Sequence, residues 1–231
     1  MKSFFITGTD TDVGKTFVAC SLIEAFNHLG LKTIGYKPIS AGCERDNEVL
    51  VNGDAKRLLA ASSVDLHLSE VNPIAFEPPI APHIAATRVN SLISGDDIVA
   101  GWHHLANKSP DILITEGAGG WALPVSNTQT LPDILQPLPQ EVILVVGMRL
   151  GCLNHALLTA SAIRQSGFKL AGWVANHLSE QMLVAEENIV TLQAMIKAPL
   201  LGVMPWFTDT KQSLTTGRKV TQTLNIGSLL I

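Results

Sequence analysis

A lysine and a hydroxyl stand side by side at the end of Gly8-Thr9-Asp10-Thr11-Asp12-Val13-Gly14-Lys15-Thr16. The stretch follows a short apolar run, Phe4-Phe5-Ile6, and leads into Phe17-Val18-Ala19-Cys20-Ser21-Leu22-Ile23. Strand, glycine-bounded loop, Gly-Lys-Thr and helix, in that order, are the setting of a phosphate-binding loop. Backbone N–H groups of such a loop and of the helix start converge on one anionic site. Lys15 adds a positive charge for the β- and γ-phosphates of a nucleotide, and the Thr16 hydroxyl can ligate Mg²⁺. Five residues separate Gly8 from Gly14, where the usual spacing is four. The loop is therefore one residue longer, and it carries Asp10 and Asp12.

Other reactive side chains stand where apolar runs end. Glu116 closes Ile112-Leu113-Ile114-Thr115 and is followed by Gly117-Ala118-Gly119-Gly120. A carboxylate at such a strand end is where the Mg²⁺ of a nucleotide is held, and the glycines let backbone approach a phosphate closely. Asp54 opens a short helix; alone it is an ordinary first-turn acid. With Thr16 and Glu116 it could complete an oxygen set for Mg²⁺. Lys37 ends a strand before Pro38 and is either an exposed strand-end lysine or a second cation for a developing anion. Asn176 ends Trp173-Val174-Ala175; its amide offers a donor and an acceptor, matching the N6/N7 edge of adenine, or it is a turn residue. The seven histidines have no metal-ligand spacing, and no Gly-x-Ser-x-Gly elbow occurs.

Alternating elements must position these groups. Strands are expected at Lys2–Thr7, Lys32–Lys37, Ile112–Glu116, Glu141–Gly147, Leu170–Asn176 and Leu200–Met204. Helices are expected at Lys15–Leu29, Gly53–Ala61, Asn154–Ser166 and Val184–Lys197. Continuous apolar strands between amphipathic helices predict an α/β fold, a mostly parallel sheet with helices on both faces, in one domain spanning 1–231. Ligands gather beyond the carboxyl ends of such strands. Pro73–Pro82 reads as a surface excursion, and Thr208–Ile231 has too weak a periodicity to be given a role.

Composition limits the function classes. Of 231 residues, 46% are hydrophobic and 16% charged, which suits a close-packed domain rather than a disordered chain. The net charge of −4 and the absence of any Lys/Arg run speak against a nucleic-acid partner. Cys20, Cys43 and Cys152 are far apart with no CxxC pair, which fits a reduced cytoplasm. Lys2 and the apolar run Phe4-Phe5-Ile6 before the loop are too short for a signal peptide, and with no apolar run near the ~18 residues of a membrane span none is expected.

The chain resembles the dethiobiotin synthetase family. The likeness is carried by Gly8 to Thr16, Gly35-Tyr36-Lys37-Pro38, Val71-Asn72-Pro73, Pro82-His83, Glu116 to Trp121, Gly151 to Ala156, Ala171 to Asn176, Pro199 to Gly202, and Pro205-Trp206. These run in family order over nearly the whole chain, and the long loop is itself a family trait. The resemblance implies an ATP- and Mg²⁺-dependent cyclo-ligase of biotin synthesis. CO2, drawn from bicarbonate, adds to one amine of 7,8-diaminononanoate (diaminopelargonate), and the carbamate attacks the γ-phosphate of ATP. The second amine then opens the carbamic–phosphoric anhydride and closes the ureido ring.

By the same resemblance Lys15 and Lys37 neutralise the γ-phosphate and carbamate, with Thr11 near the carbamate. Thr16, Asp54 and Glu116 hold the metal. Asp12, Val13, Gly14, Lys15, Thr16 and Phe17, with Glu116, Gly117, Ala118 and Gly119, line the phosphates. Asn176, His177, Pro205, Trp206 and Phe207 frame the adenine. The substrate carboxylate lies at a homodimer interface near Leu150, Gly151, Cys152, Leu153 and Asn154. The family carries Ser or Thr at the position of Ala41, whereas here Ser40 precedes it. Either Ser40 reaches the substrate by a small shift or that hydrogen bond is absent. The competing function class is a partitioning or regulatory ATPase switch. Such proteins often carry an extra lysine at the loop start, where this chain has Thr7-Gly8-Thr9.

Overall fold

A computed structural model of the chain describes residues 1–207 and 224–231. Its strands are β1 (Lys2–Gly8), β2 (Thr33–Tyr36), β3 (Ile39–Ser40), β4 (Glu44–Asp46), β5 (Val49–Val51), β6 (Ile74–Ala75), β7 (Ile112–Glu116), β8 (Glu141–Met148), β9 (Leu170–His177) and β10 (Leu200–Met204). The helices among the described residues are α1 (Lys15–His28), α2 (Gly53–Ala61), α3 (Leu68–Val71), α4 (Pro82–Arg88), α5 (Gly95–Ala106), α6 (Leu131–Leu135), α7 (Cys152–Gln165), α8 (Ala185–Met195) and α9 (Gly227–Leu230).

Six strands form one parallel sheet in the order β10-β9-β8-β1-β7-β2. All of β7 and nearly all of β1 and β8 are buried, as the unbroken apolar runs require of a sheet covered on both faces. From β1 the chain moves toward one edge of the sheet, and from β8 toward the other. Right-handed crossovers in opposite directions place α1 and α7 on opposite faces. The reversal falls at β1, which opens a crevice beyond its carboxyl end. In register, Ile6 pairs with Glu116 and Gly8 with Val145, so the ends of three strands meet there.

Helix α1 buries Val18, Leu22, Ile23 and Phe26, and Phe26 stacks on Phe4 at 6.3 Å. Losing such a buried ring costs ~3–5 kcal/mol. The helix is closed by Gly30 at φ 77. The next segment turns into β2, which stops at Tyr36 and leaves Lys37 outside the strand expected to contain it. Helix α7 begins at Cys152, two residues earlier than expected, because Gly151 at φ 92 turns the chain directly into it. The stretch Pro73–Pro82 is more than a surface excursion. Its β6 pairs in parallel with β3, and Phe76 is buried with its N–H on the Ser40 carbonyl at 2.9 Å. Strands of two residues carry no periodicity, so the pattern of the sequence misses them. Residues 208–223, within the segment left without a role, lie outside the described residues.

Candidate active site

The loop between β1 and α1 is anchored before it turns. Thr9 continues the β1–β8 ladder, its N–H donating to Val145 O at 3.0 Å and its Oγ1 accepting from Gly147 N at 3.4 Å. Asp10 then pairs with Arg149, just past β8, and its other carboxylate oxygen accepts from Thr11 N at 2.8 Å. The additional residue of the loop is thus spent on strand pairing. Gly14 sits at φ 88, and a Cβ there would lie 2.2 Å from Asn176 Nδ2. Both the left-handed backbone and the close approach demand glycine. Asn176, at the end of β9, donates from Nδ2 to Val13 O at 2.9 Å and so holds the far side of the loop.

Lys15 opens α1 and is buried, with Nζ donating to Asp10 O at 2.9 Å. Burial, helped by the charge of Lys37 and opposed by Glu116, Asp54 and Asp12, holds its ammonium down to about 8. Thr11 is exposed, across from Gly119, whose added Cβ would stand 4.0 Å from Thr11 Oγ1. Asp12 is exposed in the left-handed region, Val13 is fully buried, and Phe17 is half-buried.

Opposite the loop lies a second cation. Lys37 Nζ is 2.6 Å from Glu116 Oε1, 3.5 Å from Asp54 Oδ2, and donates to Gly117 O at 3.2 Å. Only 5% of the lysine side chain and 1% of the glutamate's are exposed, against 39% for Asp54. Burial pushes the Lys37 ammonium toward the neutral form, but the charges and hydrogen bonds of Glu116 and Asp54 outweigh it and the net shift is upward. A buried pair of this kind contributes little net stability, because desolvation offsets the attraction.

Asp54 is set by the start of α2, where the Asn52 side chain caps Asp54 N and Ala55 N at 3.0 and 3.1 Å. Such a cap contributes ~1 kcal/mol. Glu116 Oε1 also accepts from Thr16 Oγ1 at 2.8 Å, which brings P-loop hydroxyl, strand-end acid and second cation onto one oxygen. Glu116 Oε2 is buried and finds no hydrogen-bond partner among the described residues. An orphaned carboxylate oxygen is costly unless a cation or donor meets it. Two carboxylates, one of them with an orphaned oxygen, and a hydroxyl beside a phosphate loop fit Mg²⁺, which takes few protein oxygens and keeps several waters. Among the described residues no group of three or more His, Cys, Asp and Glu is gathered as a metal cluster.

The remaining expected residues fall into two groups. Met204 pairs with Asn176 and Met148 with His177, so Pro205–Phe207, His177 and Arg149–Gly151 lie beside one another at the same end of the sheet. Phe207 packs edge-on against Phe17 with centroids 5.5 Å apart, while Pro205 and Trp206 are exposed. Leu150 is 98% exposed, Cys152 is buried, Leu153 is half-buried and Asn154 is exposed. Gly117 takes its place because a Cβ would meet Phe5 at 2.7 Å, and Ala118 packs on the core.

Ser40 is buried. Its hydroxyl donates to Asn72 Oδ1 at 2.7 Å and lies 3.2 Å from Cys43 Sγ, while Ala41 beside it is half-buried. Sequence reasoning gave no individual role to Asn72, Thr9, Asp10 or Arg149. For Asn72 a signal existed in Val71-Asn72-Pro73, an amide just before a proline. For the pair Asp10–Arg149 no signal existed, since the partners are far apart in the chain.

Comparisons with known proteins bear on this arrangement. The sequence model of the family described as an AAA domain matches residues 2–213. The chain is 51% identical to the ATP-dependent dethiobiotin synthetase BioD of Alteromonas mediterranea, over 90% of this chain and 94% of that protein. It is 50% identical to the protein of the same name from Cellvibrio japonicus, over 88% and 89% of the two chains. Among solved structures, the septum site-determining protein MinD of Pyrococcus horikoshii, complexed with Mg-ADP, superposes with a TM-score of 0.57 at 16% identity. That match covers 94% of this chain and 86% of the other. At such identity the likeness shows the fold, a parallel sheet flanked by helices around a phosphate loop.

Proposed function

The chain belongs to the ATP-dependent dethiobiotin synthetase family, and from that premise we propose how its site closes a ureido ring. The enzyme is an ATP-dependent ligase of biotin synthesis. One observation carries the mechanism: a second buried cation, Lys37, 2.6 Å from a carboxylate oxygen that the Thr16 hydroxyl also touches. Simple hydrolysis needs the phosphate loop and an ordered water. A second lysine facing the loop provides for an anionic nucleophile, as the carbamate of diaminopelargonate is.

In-line transfer of a phosphoryl group depends on positioning and charge neutralisation more than on covalent help. Backbone N–H groups from Asp12 to Phe17, with Gly117, Ala118 and Gly119 across from them, cradle the phosphates. Lys15 neutralises the γ-phosphate; contact with that dianion favours its charged form, which burial otherwise weakens. Lys37 orients and neutralises the carbamate oxygen, and Thr11 stands beside it. Thr16, Asp54 and Glu116 would hold Mg²⁺. The ion would supply further charge neutralisation to the phosphates. Attack forms the carbamate–phosphorus bond as the bond to ADP breaks. The second amine then attacks the carbonyl carbon, phosphate leaves with the bonding pair, and the ring closes.

Asn176, His177 and Pro205–Phe207 frame the adenine. Leu150–Asn154 receive the substrate carboxylate, since Gly151 opens α7 and a helix start favours an anion. Ala41 lines the diamine site without a hydroxyl, and Ser40 contributes through Asn72. A homodimer is supported by exposed apolar side chains at Leu150, Leu158, Leu183 and Val190, on or next to the mutually packed α7 and α8. A reducing cytoplasm suits the free thiols of Cys20, Cys43 and Cys152. No described helix is long and apolar enough to cross a membrane. The switch alternative shares the sheet and the loop and accounts for neither Lys37 nor its acidic partners.

The experiment is formation of ADP and dethiobiotin from diaminopelargonate, bicarbonate, Mg²⁺ and ATP. Both products are expected in equal amounts. ADP release that ignores the diamine would overturn the proposal.

A further inference from the structure

The backbone of Lys37 is held without a ladder bond from the main sheet. Strand β2 is the edge strand next to β7, and their pairing ends at Tyr36 with Thr115. Pro38 follows and has no N–H, so the ladder has nothing to continue with. The backbone of Lys37 turns the other way. Its N–H donates to Val71 O at 2.8 Å, and its C=O accepts from Asn72 Nδ2 at 2.7 Å.

Asn72 is buried and nearly saturated. Its Nδ2 also reaches Ile74 O at 3.3 Å, and its Oδ1 accepts the Ser40 hydroxyl at 2.7 Å. Ser40 belongs to β3, which begins two residues after Lys37 and pairs with β6, just after Asn72. The amide is therefore fixed from both sides before it meets the Lys37 carbonyl. A side chain replaces a ladder bond at the one residue whose ammonium must sit on Glu116 and Gly117. Small displacements of such a group are costly, since about 1 Å can remove roughly 10²-fold in rate.

We propose that Asn72 is a positioning residue for phosphoryl transfer: its amide sets the Lys37 backbone and, through it, the place of the ammonium. This rests on Lys37 being the second cation of the reaction. Asn72 touches neither nucleotide nor diamine in this assignment, and its effect runs through Lys37 alone.

The test is steady-state kinetics on the full chain with ATP, Mg²⁺, bicarbonate and diaminopelargonate. Asn72→Asp keeps the volume and the acceptor for Ser40 and, in its ionised form, loses the donor to Lys37 O, so kcat is read at a pH high enough to ionise the carboxyl. Asn72→Ala removes the whole contact but opens a buried gap, so Asn72→Asp carries the decision if the alanine variant fails to fold. Asn72→Asp is expected to lower kcat roughly tenfold, with KM for ATP changed less than about twofold. Added to Lys37→Ala, it is expected to lower kcat no further, because residues acting as one unit are not additive. A merely architectural asparagine would lower kcat by the same factor in both backgrounds, and that outcome overturns the proposal. So does an unchanged kcat in Asn72→Asp beside a crippled Lys37→Ala. If Lys37→Ala itself turns over like the parent, the assignment of Lys37 falls and the proposal with it.

Discussion

The side-chain amide of Asn176 donates to the carbonyl of Val13 at 2.9 Å, and the same nitrogen occupies the space a Cβ on Gly14 would need. The end of β9 and the crown of the phosphate loop are therefore in direct contact. One hydrogen of the amide is committed to the loop, so in the proposed adenine site Oδ1 would be the atom that accepts from the exocyclic amine. Asn176→Ala is expected to raise KM for ATP roughly tenfold, because a lost buried hydrogen bond costs ~1–3 kcal/mol. It is also expected to narrow the preference for ATP over the 6-oxo analogue ITP. Parallel KM measurements with both nucleotides check this, and an unchanged ratio removes Asn176 from base recognition.

Lys37→Ala removes the buried cation and leaves the loop intact. Turnover is expected to fall by roughly 10²-fold or more, the scale of one preorganised group acting on developing charge. Nucleotide affinity, measured by calorimetric titration, is expected to stay within a few fold. Equal loss of both would mean that Lys37 serves ground-state binding.

Asp54→Asn keeps the cap on α2, since the capping bond runs from Asp54 N to Asn52 Oδ1. It removes one charged oxygen from the proposed metal set. The Mg²⁺ concentration for half-maximal activity is expected to rise, and saturating Mg²⁺ is expected to restore most of the rate. An unaltered magnesium titration would take Asp54 out of the metal set. A chelator is expected to abolish turnover of the parent enzyme.

Glu70 joins α3 to α5. It accepts from Lys108 at 2.8 Å, from His67 N at 2.7 Å and lies 2.7 Å from His104 Nε2. The Lys108 bond first, then the His67 N–H and His104, hold its carboxyl down at about 2, from an ordinary 4.5. A lowered carboxyl stabilises the fold fully above its unfolded value, and that stability is lost as pH falls toward the folded value. The melting temperature of Glu70→Gln is therefore expected below that of the parent at neutral pH. The two curves are expected to converge as pH falls from 4.5 toward 2. A constant gap across that window would show that the carboxyl does not titrate with folding.

How much of this was legible in the sequence depends on the kind of contact. Lys15, Thr16, Glu116 and Asn176 follow apolar runs, and the parallel sheet brings such run ends together at one rim. Asp54 was legible only in combination, because a first-turn acid has an ordinary explanation until the start of α2 is seen to stand beside Lys37. The contacts that hold those groups were less visible. Asn72 meets Lys37 O where two strands of two residues each begin, below the length at which alternation shows. Ser40 ends β3 against Asn72 and Cys43, and Ala41 lies just beyond the strand, a difference no alternation in the sequence marks. Arg149 meets Asp10 across the sheet end, a pairing set by β8 lying next to β1.

Because β2 lies at the sheet edge while the phosphate loop springs from its centre, the two halves of the chemistry are expected to differ in local stability. Edges open at lower free energy than sheet centres, and their amides exchange with solvent sooner. As denaturant is raised, the cation should come loose while the nucleotide cradle still stands. The protein would then retain ATP without using it, so that capture of the nucleotide outlasts its consumption.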